Sequence, residues 1–294
     1  LFRSSRSRMK IRVARKARHN QVIEVPVLDT VEAQKSMAVD QLMDRAPHVI
    51  PRPKRQGGWF NRVISFDTET WARKPDEPYR HYLTMGWATF HRVEKGYNSV
   101  KERRDTREFT EVGDFWDFIE SKCILTEDLY VFAHNVAFDL RVVNFTEELE
   151  SRGWKCRENF MPSPNGPFKL TYDLDLGDDR RKTIHFMDSG NFFGKRRLGD
   201  LGHVIGFEKE DVDPTADRFD PAECVPGTEA FAELSHYCRR DVDIIGYLLD
   251  YWVTFCRGLN LGPCAMTLAG QAFNAFRYRF MDHEIFIHCN VEVL

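Results

Sequence analysis

Two carboxylates stand one residue apart at the end of an apolar segment, "VISFDTET" (63–70). Side chains at alternate positions of a strand project from the same face, so Asp67 and Glu69 should point the same way. Burying unpaired charge costs several kcal/mol, and two such acids therefore need a partner that neutralises them. Acids at strand ends also commonly just meet water, so this pair alone does not define a site.

A third acid lies where a strand leads into a helix, in "HNVAFDL" (134–140). Asn135, Phe138 and Asp139 share one face of the helix start. Asn135 also suits the N-cap position that asparagine commonly takes. In the helix predicted over 136–149, Asp139 lies among the apolar residues Val136, Phe138, Leu140, Val142 and Val143. A helix start this apolar should be largely buried, so Asp139 needs a partner as well.

A fourth acid lies on a late helix, in "HYCRRDVD" (236–243). Tyr237 and Asp241 are four residues apart and stack on one helical face. His236 points roughly 100° away from Tyr237 at 3.6 residues per turn. The spacing therefore favours Tyr237 over His236 as the neighbour of Asp241, although the charged residues between them also suit an ordinary surface helix.

The elements that must position these residues form an α/β pattern. Strands are predicted over 63–70, 81–90, 96–104, 129–135, 168–176 and 182–189, the last two joined as a hairpin by "GDDRR". Helices are predicted over 30–46, 112–123, 136–149 and about 229–258. Three strands followed by alternating helices and strands indicate a sheet of mixed direction.

The acidic motifs follow a definite order: D-x-E on a first strand, N-x-x-F-D at a strand-to-helix junction and Y-x-x-x-D on a late helix. On "FDTET", "HNVAFDL" and "YCRRD", the chain resembles the DEDD 3′–5′ exonucleases of the DnaQ-like group, in the subclass with tyrosine in the third motif (DEDDy). The resemblance covers about residues 60–258. It implies an α/β, RNase H-like fold with a mixed five-stranded sheet flanked by helices, preceded here by a basic N-terminal extension.

The resemblance also implies a site for two divalent ions. Asp67, Glu69 and Asp241 would hold the ion that carries the attacking water, and Asp67 would bridge to a second ion with help from Asp139. Tyr237 would orient the water, since a phenol with an ordinary pKa near 10 is a poor base at neutral pH. Four carboxylates in one pocket repel each other without cations, and oxygen ligands suit Mg²⁺ or Mn²⁺ better than zinc. Two such ions about 3.5–4 Å apart clamp the attacking and leaving oxygens of a phosphodiester.

A further stretch, "HFMDSGNFFGKRRLGDLGHVIG" (185–206), resembles the proofreading exonuclease domains of family B DNA polymerases of the protein-primed, organellar or plasmid type. There a D-S pair and a K-x-x-hydrophobic element touch the single-stranded 3′ end. Carried over, Ser189 would contact substrate, and Lys195 with Leu198 would form the second element, with Lys195 stabilising the phosphate under attack. Gly190 replaces the leucine usual after the serine, and a solvated basic helix start is the alternative interpretation of this stretch.

Three more residues match family positions that hold the terminal nucleotides: Thr70, Asn135 and Phe138. Phe138 could stack on an unpaired base, as aromatic side chains do in single-strand binding, or could simply pack in the core. Pro51, Pro53 and Gly57-Gly58 indicate a linker. With the resemblance, they divide the chain into a basic arm and linker (1–58), an exonuclease domain (59–259) and a C-terminal extension (260–294) that resembles the lead-in to a polymerase domain.

Charge is distributed unevenly along the chain. Residues 1–62 hold 14 Lys and Arg against 5 Asp and Glu, whereas the remaining residues hold 28 against 40. The Arg- and Ser-rich start suits a solvated arm with affinity for nucleic acid, an organelle transit peptide or sequence added for expression. No apolar run is long enough to span a bilayer. The seven scattered cysteines form no C-x-x-C pair, which favours reduced thiols over a disulfide framework or a zinc knuckle.

Together these inferences predict a metal-dependent 3′–5′ exodeoxyribonuclease acting on single-stranded or mismatched DNA 3′ ends, in the proofreading part of a family B-like DNA polymerase. The expected partners are a DNA 3′ end and a polymerase domain in the same chain or another, with no membrane. An intracellular, soluble protein is expected, with bacterial or phage cytoplasm and an organelle such as the mitochondrion both open. An RNA 3′-end trimming enzyme and a non-catalytic domain that binds nucleic acid or docks a polymerase stay as alternatives.

Overall fold

The computed structural model describes residues 9–11, 23–25, 48–51, 58–72, 81–93, 104–161, 166–194 and 196–287. The chain divides into two compact units, one of Leu1–Arg52 with Asp282–Leu294 and one of Pro53–Met281. The first unit holds two antiparallel pairs, β1 (Met9–Ile11) with β2 (Ile23–Val25) and β3 (His48–Ile50) with β11 (Ile285–Ile287). The helix predicted over 30–46 lies outside the described residues.

The second unit is built on a seven-stranded sheet. Its strands are β4 (Arg62–Ala72), β5 (His81–Arg92), β6 (Asp105–Phe109), β7 (Leu129–Ala133), β8 (Lys155–Phe160), β9 (Lys169–Asp175) and β10 (Arg181–Asp188). Their order across the sheet is β6-β5-β4-β7-β10-β9-β8. The pairs β4·β7 and β7·β10 are parallel and the other four are antiparallel. The expected mixed α/β sheet is therefore confirmed, with an arrangement consistent with an RNase H-like fold.

The sheet has seven strands instead of the expected five, and the two outermost strands explain the difference. Most side chains of β6 and β8 are exposed, so neither strand carries the alternation of apolar and polar residues that reveals a half-buried strand. The segment predicted over 96–104 lies outside the described residues except for 104, and β6 begins one residue later. The predicted hairpin of β9 and β10 is confirmed, closed by a bond from the Leu176 N–H to the Arg180 carbonyl.

Helices cover both faces of the sheet. They are α1 (Val112–Ser121), α2 (Val136–Val142), α3 (Phe145–Ser151), α4 (Gly190–Phe193), α5 (Leu198–Val204), α6 (Glu229–Gly258) and α7 (Leu268–Ala275). The predicted helices over 112–123 and 229–258 are confirmed. The prediction of a single helix over 136–149 is wrong, because Asn144 adopts a left-handed φ of 48° and separates α2 from α3. Asparagine tolerates this conformation better than most residues do.

The two faces of β4 belong to different parts of the core. Ile64 and Phe66 pack with residues of α1, α2 and α3, whereas Val63 packs with α5 and α6. By the same alternation, Asp67 and Glu69 face α6. The strands β4, β7 and β10 are parallel neighbours, so their carboxyl ends meet at one edge of the sheet, where open α/β sheets commonly bind ligands. Among the described residues, no helix combines the length and apolar character that crossing a bilayer requires.

Candidate active site

The D-x-E pair lies at the carboxyl end of β4 beneath α6. Glu69 is buried and Asp67 is half-buried. The pairing of β4 with β5 shifts register between Glu69 and Thr70, which marks a bulge or irregularity directly after the pair. Bulges re-aim side chains and are frequent next to active sites. The strand therefore carries two carboxylates into the space below α6, as the alternation predicts.

Asp139 reaches the same strand end from α2. The Thr68 backbone N–H and hydroxyl both donate to Asp139 Oδ1, at 3.2 and 2.7 Å. Burial raises the pKa of Asp139 to about 7, although the two bonds from Thr68 oppose that rise. Thr68, the residue between the two acids of the D-x-E pair, thus fixes the third acid beside them.

Asp241 and Tyr237 come from α6 and are both buried. Asp241 Oδ2 accepts from the Lys209 ammonium group, while Asp241 Oδ1 is buried with no hydrogen-bond partner among the described residues. Burial raises the pKa of Tyr237 to about 12. His236 points away and bonds Glu210 at 2.7 Å. The structure thus places Tyr237, and not His236, beside Asp241.

The electrostatics of the four acids are unfavourable without cations. Burial is the main reason that the pKa of Asp67 lies well above its ordinary value, and Asp139, Glu69 and Asp241 raise it further. Burial and then the charge of Asp241 raise the pKa of Glu69 to about 8. Lys209 lowers the pKa values of both Asp67 and Glu69, but a single positive charge does not balance four acids. Carboxylate oxygens are the ligands that hard divalent ions prefer, and Asp241 Oδ1 has no donor among the described residues. The residues of the site therefore fit a divalent metal ion.

Lys209 is a site residue that the sequence analysis missed. Its Nζ pairs with Asp241 and lies 4.5 Å from the centre of the Tyr237 ring. Burial alone would lower the pKa of Lys209, but Asp241 and Tyr237 raise it above the ordinary value.

Lys195, the lysine that the sequence analysis predicted for the site, lies outside the described residues. The signal for Lys209 was available, since Lys209 and Val212 have the same K-x-x-hydrophobic spacing as Lys195 and Leu198.

A cavity of about 470 Å³ opens onto this edge of the sheet, lined by Asp67, Asp241 and Lys209 among others. Two exposed arginines, Arg196 and Arg197, line the cavity beside these residues. An acidic floor with basic groups at its wall can admit a phosphate chain while holding cations beneath it.

Ser189 lies next to His134, and its contact with substrate stays a prediction. It is fully buried, and its hydroxyl lies 2.8 Å from His134 Nδ1. His134 Nε2 lies 2.9 Å from the Arg196 carbonyl, which can only accept, so Nε2 carries the proton. Ser189 therefore supports His134, and His134, which lines the cavity, holds the segment that carries Arg196.

Asp188 is a second residue that the sequence analysis missed. It ends β10 and is buried at the cavity. Its two oxygens accept from the Val136 N–H at 3.1 Å and the Gly190 N–H at 2.7 Å. Asp188 thereby accepts a backbone N–H at the start of α2, while Asn135 occupies the N-cap position with a φ of 72° and makes no side-chain cap bond. The position of Asp188 at the end of a strand parallel to β4 was the available signal.

The three predicted nucleotide contacts lie around the site. Thr70 Oγ1 lies 3.1 Å from His81 Nδ1, and the Phe138 ring packs edge-on against the His81 ring at 5.2 Å. Phe138 is half-buried, so it both packs and presents a surface. Asn135 is exposed and lines the cavity. Their contacts with nucleotides stay predictions.

Comparison with known proteins bears on the fold. No family model and no curated protein sequence matches the chain. Among solved structures, it is similar to Phi29 DNA polymerase complexed with primer-template DNA and incoming nucleotides, with a TM-score of 0.50, 15% identity, and coverage of 74% of this chain and 34% of that one. Phi29 DNA polymerase complexed with single-stranded DNA has a TM-score of 0.48 and 17% identity over the same shares. The chain thus spans about a third of the polymerase length. The likeness concerns the fold alone.

Proposed function

We propose that this protein is a metal-dependent 3′–5′ exonuclease that removes nucleotides from single-stranded or mismatched DNA 3′ ends. The observation that carries the proposal is the convergence of four largely buried acids with Tyr237 and Lys209, next to a cavity that Asp67, Asp241 and Lys209 line. Residues 59–259 would form the catalytic domain. Its role would be proofreading for a polymerase domain in the same chain or in another.

Asp67, Glu69, Asp139 and Asp241 would hold two Mg²⁺ or Mn²⁺ ions. When bound, such ions neutralise the acids, lower the pKa of water and stabilise the charge of a phosphodiester under attack. Asp241 Oδ1 has an unused lone pair for this purpose. Asp139 has one oxygen engaged with Thr68, which fixes its orientation and leaves the other oxygen for a ligand.

Tyr237 would orient the attacking water. With a pKa raised to about 12, its phenol stays protonated at neutral pH and acts as a hydrogen-bond donor, not as a base. Because α6 packs tightly over β4, the phenol is held in place before substrate binds. Preorganised donors avoid the cost of reorienting dipoles during reaction.

Lys209 would stabilise the phosphate, and the same role for Lys195 stays a prediction. The Lys209 ammonium group lies at the cavity and is held by Asp241, so it can turn toward a phosphate once cations neutralise that acid. Arg196 and Arg197 would contact phosphates further along the strand, and His134 would keep their segment in place. Phe138 and Asn135 would contact the terminal bases.

A degradation assay tests the proposal. With 5′-labelled single-stranded DNA and Mg²⁺ or Mn²⁺, a ladder that shortens from the 3′ end is expected, and a chelator should abolish it. Replacing a residue that only orients a metal ligand typically reduces activity by up to about 100-fold. Asp67 would itself be a ligand, so Asp67→Asn should reduce the rate by more than that. The matched control is Asp128→Asn, an acid bonded to His185 and not a member of the site. Asp67→Asn activity close to that of the unchanged protein would refute the proposal.

The two alternative functions give other results in the same assay. An RNA-trimming enzyme would degrade a matched RNA strand faster than DNA, because discrimination depends on the 2′-hydroxyl. A non-catalytic domain would bind the labelled strand and leave its length unchanged at every metal concentration.

A further inference from the structure

A thiol lies among the oxygen ligands of the proposed site. Cys238, next to Tyr237 on α6, is fully buried, and its Sγ lies 3.5 Å from the Asp67 carbonyl oxygen and 3.9 Å from Asp67 Oδ2. Ligand atoms of Asp67, Glu69 and Cys238 all lie within 4.8 Å of one another. A sulfur atom is therefore positioned where a metal ion held by Asp67 and Glu69 could reach it.

The distances suit a tetrahedral ion. Zinc bonds of about 2.3 Å to sulfur and 2.0 Å to oxygen, at a tetrahedral angle, separate the sulfur and oxygen by about 3.5 Å. The Sγ–Oδ2 distance of 3.9 Å is close to that value, so a small rotation of either side chain closes the difference. Asp241 lies three residues after Cys238 on the same helical face, and its Oδ1 is buried and has no hydrogen-bond partner among the described residues. This unpartnered oxygen, one turn of α6 from Cys238, is a further sign that the pocket takes a cation.

We propose that Asp67, Glu69 and Cys238 form a mixed sulfur and oxygen site for a thiophilic divalent ion such as Zn²⁺. Thiolate ligands select zinc and cadmium, whereas Mg²⁺ prefers oxygen, so the same pocket offers different ligand sets to the two kinds of ion. On binding, the Cys238 S–H bond is replaced by a sulfur–metal bond, and the proton passes to water. The oxidation state of every atom is unchanged.

The consequence for activity rests on the proposed exonuclease function. A thiophilic ion that uses Asp67 and Glu69 occupies ligands that the catalytic ions need, and therefore inhibits the enzyme at concentrations far below that of Mg²⁺. The activity of the protein would then report the balance between free zinc and magnesium. The binding itself requires no catalytic activity.

Cadmium titration tests the binding directly, because a cadmium–thiolate bond absorbs in the ultraviolet. The background should lack two other cysteines: Cys156, which is exposed, and Cys289, which lies outside the described residues. On a background with both changed to serine, one thiolate per chain should report Cd²⁺ binding. Cys238→Ser should abolish the signal, and the matched control Cys256→Ser, a buried cysteine on the same helix, should keep it. A signal that survives in Cys238→Ser would overturn the proposal.

A second measurement needs no change at Cys238, in case that substitution prevents folding. X-ray absorption at the zinc edge of the same background protein with one Zn²⁺ bound should show one sulfur among oxygen neighbours. A shell without sulfur would overturn the proposal even if zinc binds.

Inhibition separates this proposal from the proposed function. In the Mg²⁺-dependent assay, the Zn²⁺ concentration that halves activity should rise about 10- to 100-fold in Cys238→Ser relative to Cys256→Ser. A cadmium–thiolate signal in a protein without nuclease activity would leave the metal site standing and refute the exonuclease. Nuclease activity with no sulfur bound to the zinc would support the exonuclease and refute the sulfur-containing metal site.

Discussion

Two polar clusters on the same sheet use similar residues to opposite effect. The His185 network consists of Asp128, His185, Thr171, Glu158 and Lys169, linked by contacts of 3.0, 3.0, 3.3 and 2.6 Å. Here every acid meets a donor. The site cluster consists of Asp67, Glu69, Asp139, Asp241 and Lys209; among the described residues, its four acids meet one lysine, the donors of Thr68 and the Cys238 thiol.

The pKa values of the acids show what the difference means. In the His185 network, a bond from His185 lowers the pKa of Asp128, and Lys169 lowers that of Glu158. In the site cluster, burial and neighbouring acids raise the pKa values of Asp67 and Glu69. A cluster whose donors match its acids stabilises the fold by itself. Clustered acids whose pKa values are raised above the ordinary range indicate a functional site that needs further positive charge.

The largest difference in nuclease rate is expected when the lysine of each cluster is replaced in turn. Lys209→Met should reduce the exonuclease rate about 10²- to 10³-fold, the usual loss when a group that stabilises transition-state charge is removed. Lys169→Met should leave the rate within about twofold, since Lys169 pairs with Glu158 outside the site cluster. Single-turnover degradation of labelled DNA measures both rates. Equal losses in the two variants would remove the functional distinction between the clusters.

Metal binding should stabilise the protein through the site cluster alone. Mg²⁺ or Mn²⁺ at about 100 times its dissociation constant should add about 2.7 kcal/mol to the free energy of unfolding. For a unit of this size that corresponds to a rise in Tm of about 5–11 °C. Thermal melts with metal and with a chelator measure the rise. Asp128→Asn should keep it and Asp241→Asn should lose most of it; a rise of the same size in Asp241→Asn would contradict the assignment of that ligand.

Removal of one hydroxyl from each cluster gives a smaller contrast. Thr68→Val takes the 2.7 Å donor from Asp139 and should reduce activity about 10- to 100-fold, as loss of a group that orients a ligand does. Thr171→Val breaks the contact with His185 and should cost about 0.5–1.5 kcal/mol of stability with no loss of rate. Urea unfolding and the nuclease assay, run on both variants, measure the two effects. The distinction fails if Thr171→Val slows the reaction as much as Thr68→Val does.

The pH dependence of stability is a further signature of the site cluster, measured without metal. In chelator, the folded protein binds more protons than the unfolded chain between the ordinary Glu69 pKa of 4.5 and its folded value of about 8. Asp139 adds to this between 3.8 and about 7. Stability should therefore fall as pH rises through this window, by at most about 1.4 kcal/mol per pH unit for each group. Urea unfolding from pH 5 to 8.5 measures the slope, which should be smaller in Glu69→Gln. A flat profile would show that these acids ionise as freely in the folded protein as in the unfolded chain, and a slope of opposite sign that folding lowers their pKa values.

Much of the fold could be predicted because its central strands carry strong patterns. The segments that became β4, β5, β7, β9 and β10 are half-buried or fully buried, so their apolar residues recur regularly. The edge strands β6 and β8 escaped prediction because their side chains are mostly exposed. The break at Asn144 escaped because a left-handed backbone leaves little trace in hydrophobic periodicity.

The sequence by itself determined the residue types and local spacing of the site: Asp67 with Glu69 on one strand face, Asp139 at a helix start, and Tyr237 one turn from Asp241. Short-range geometry is dictated by strand and helix periods, so these relations survive any tertiary arrangement. Only the tertiary structure decided which distant groups join them. The parallel order of β4, β7 and β10 brings Asp188 and His134 to the cavity, and the loop before α6 delivers Lys209 to Asp241. Such long-range contacts depend on how elements pack, and a linear pattern does not record that.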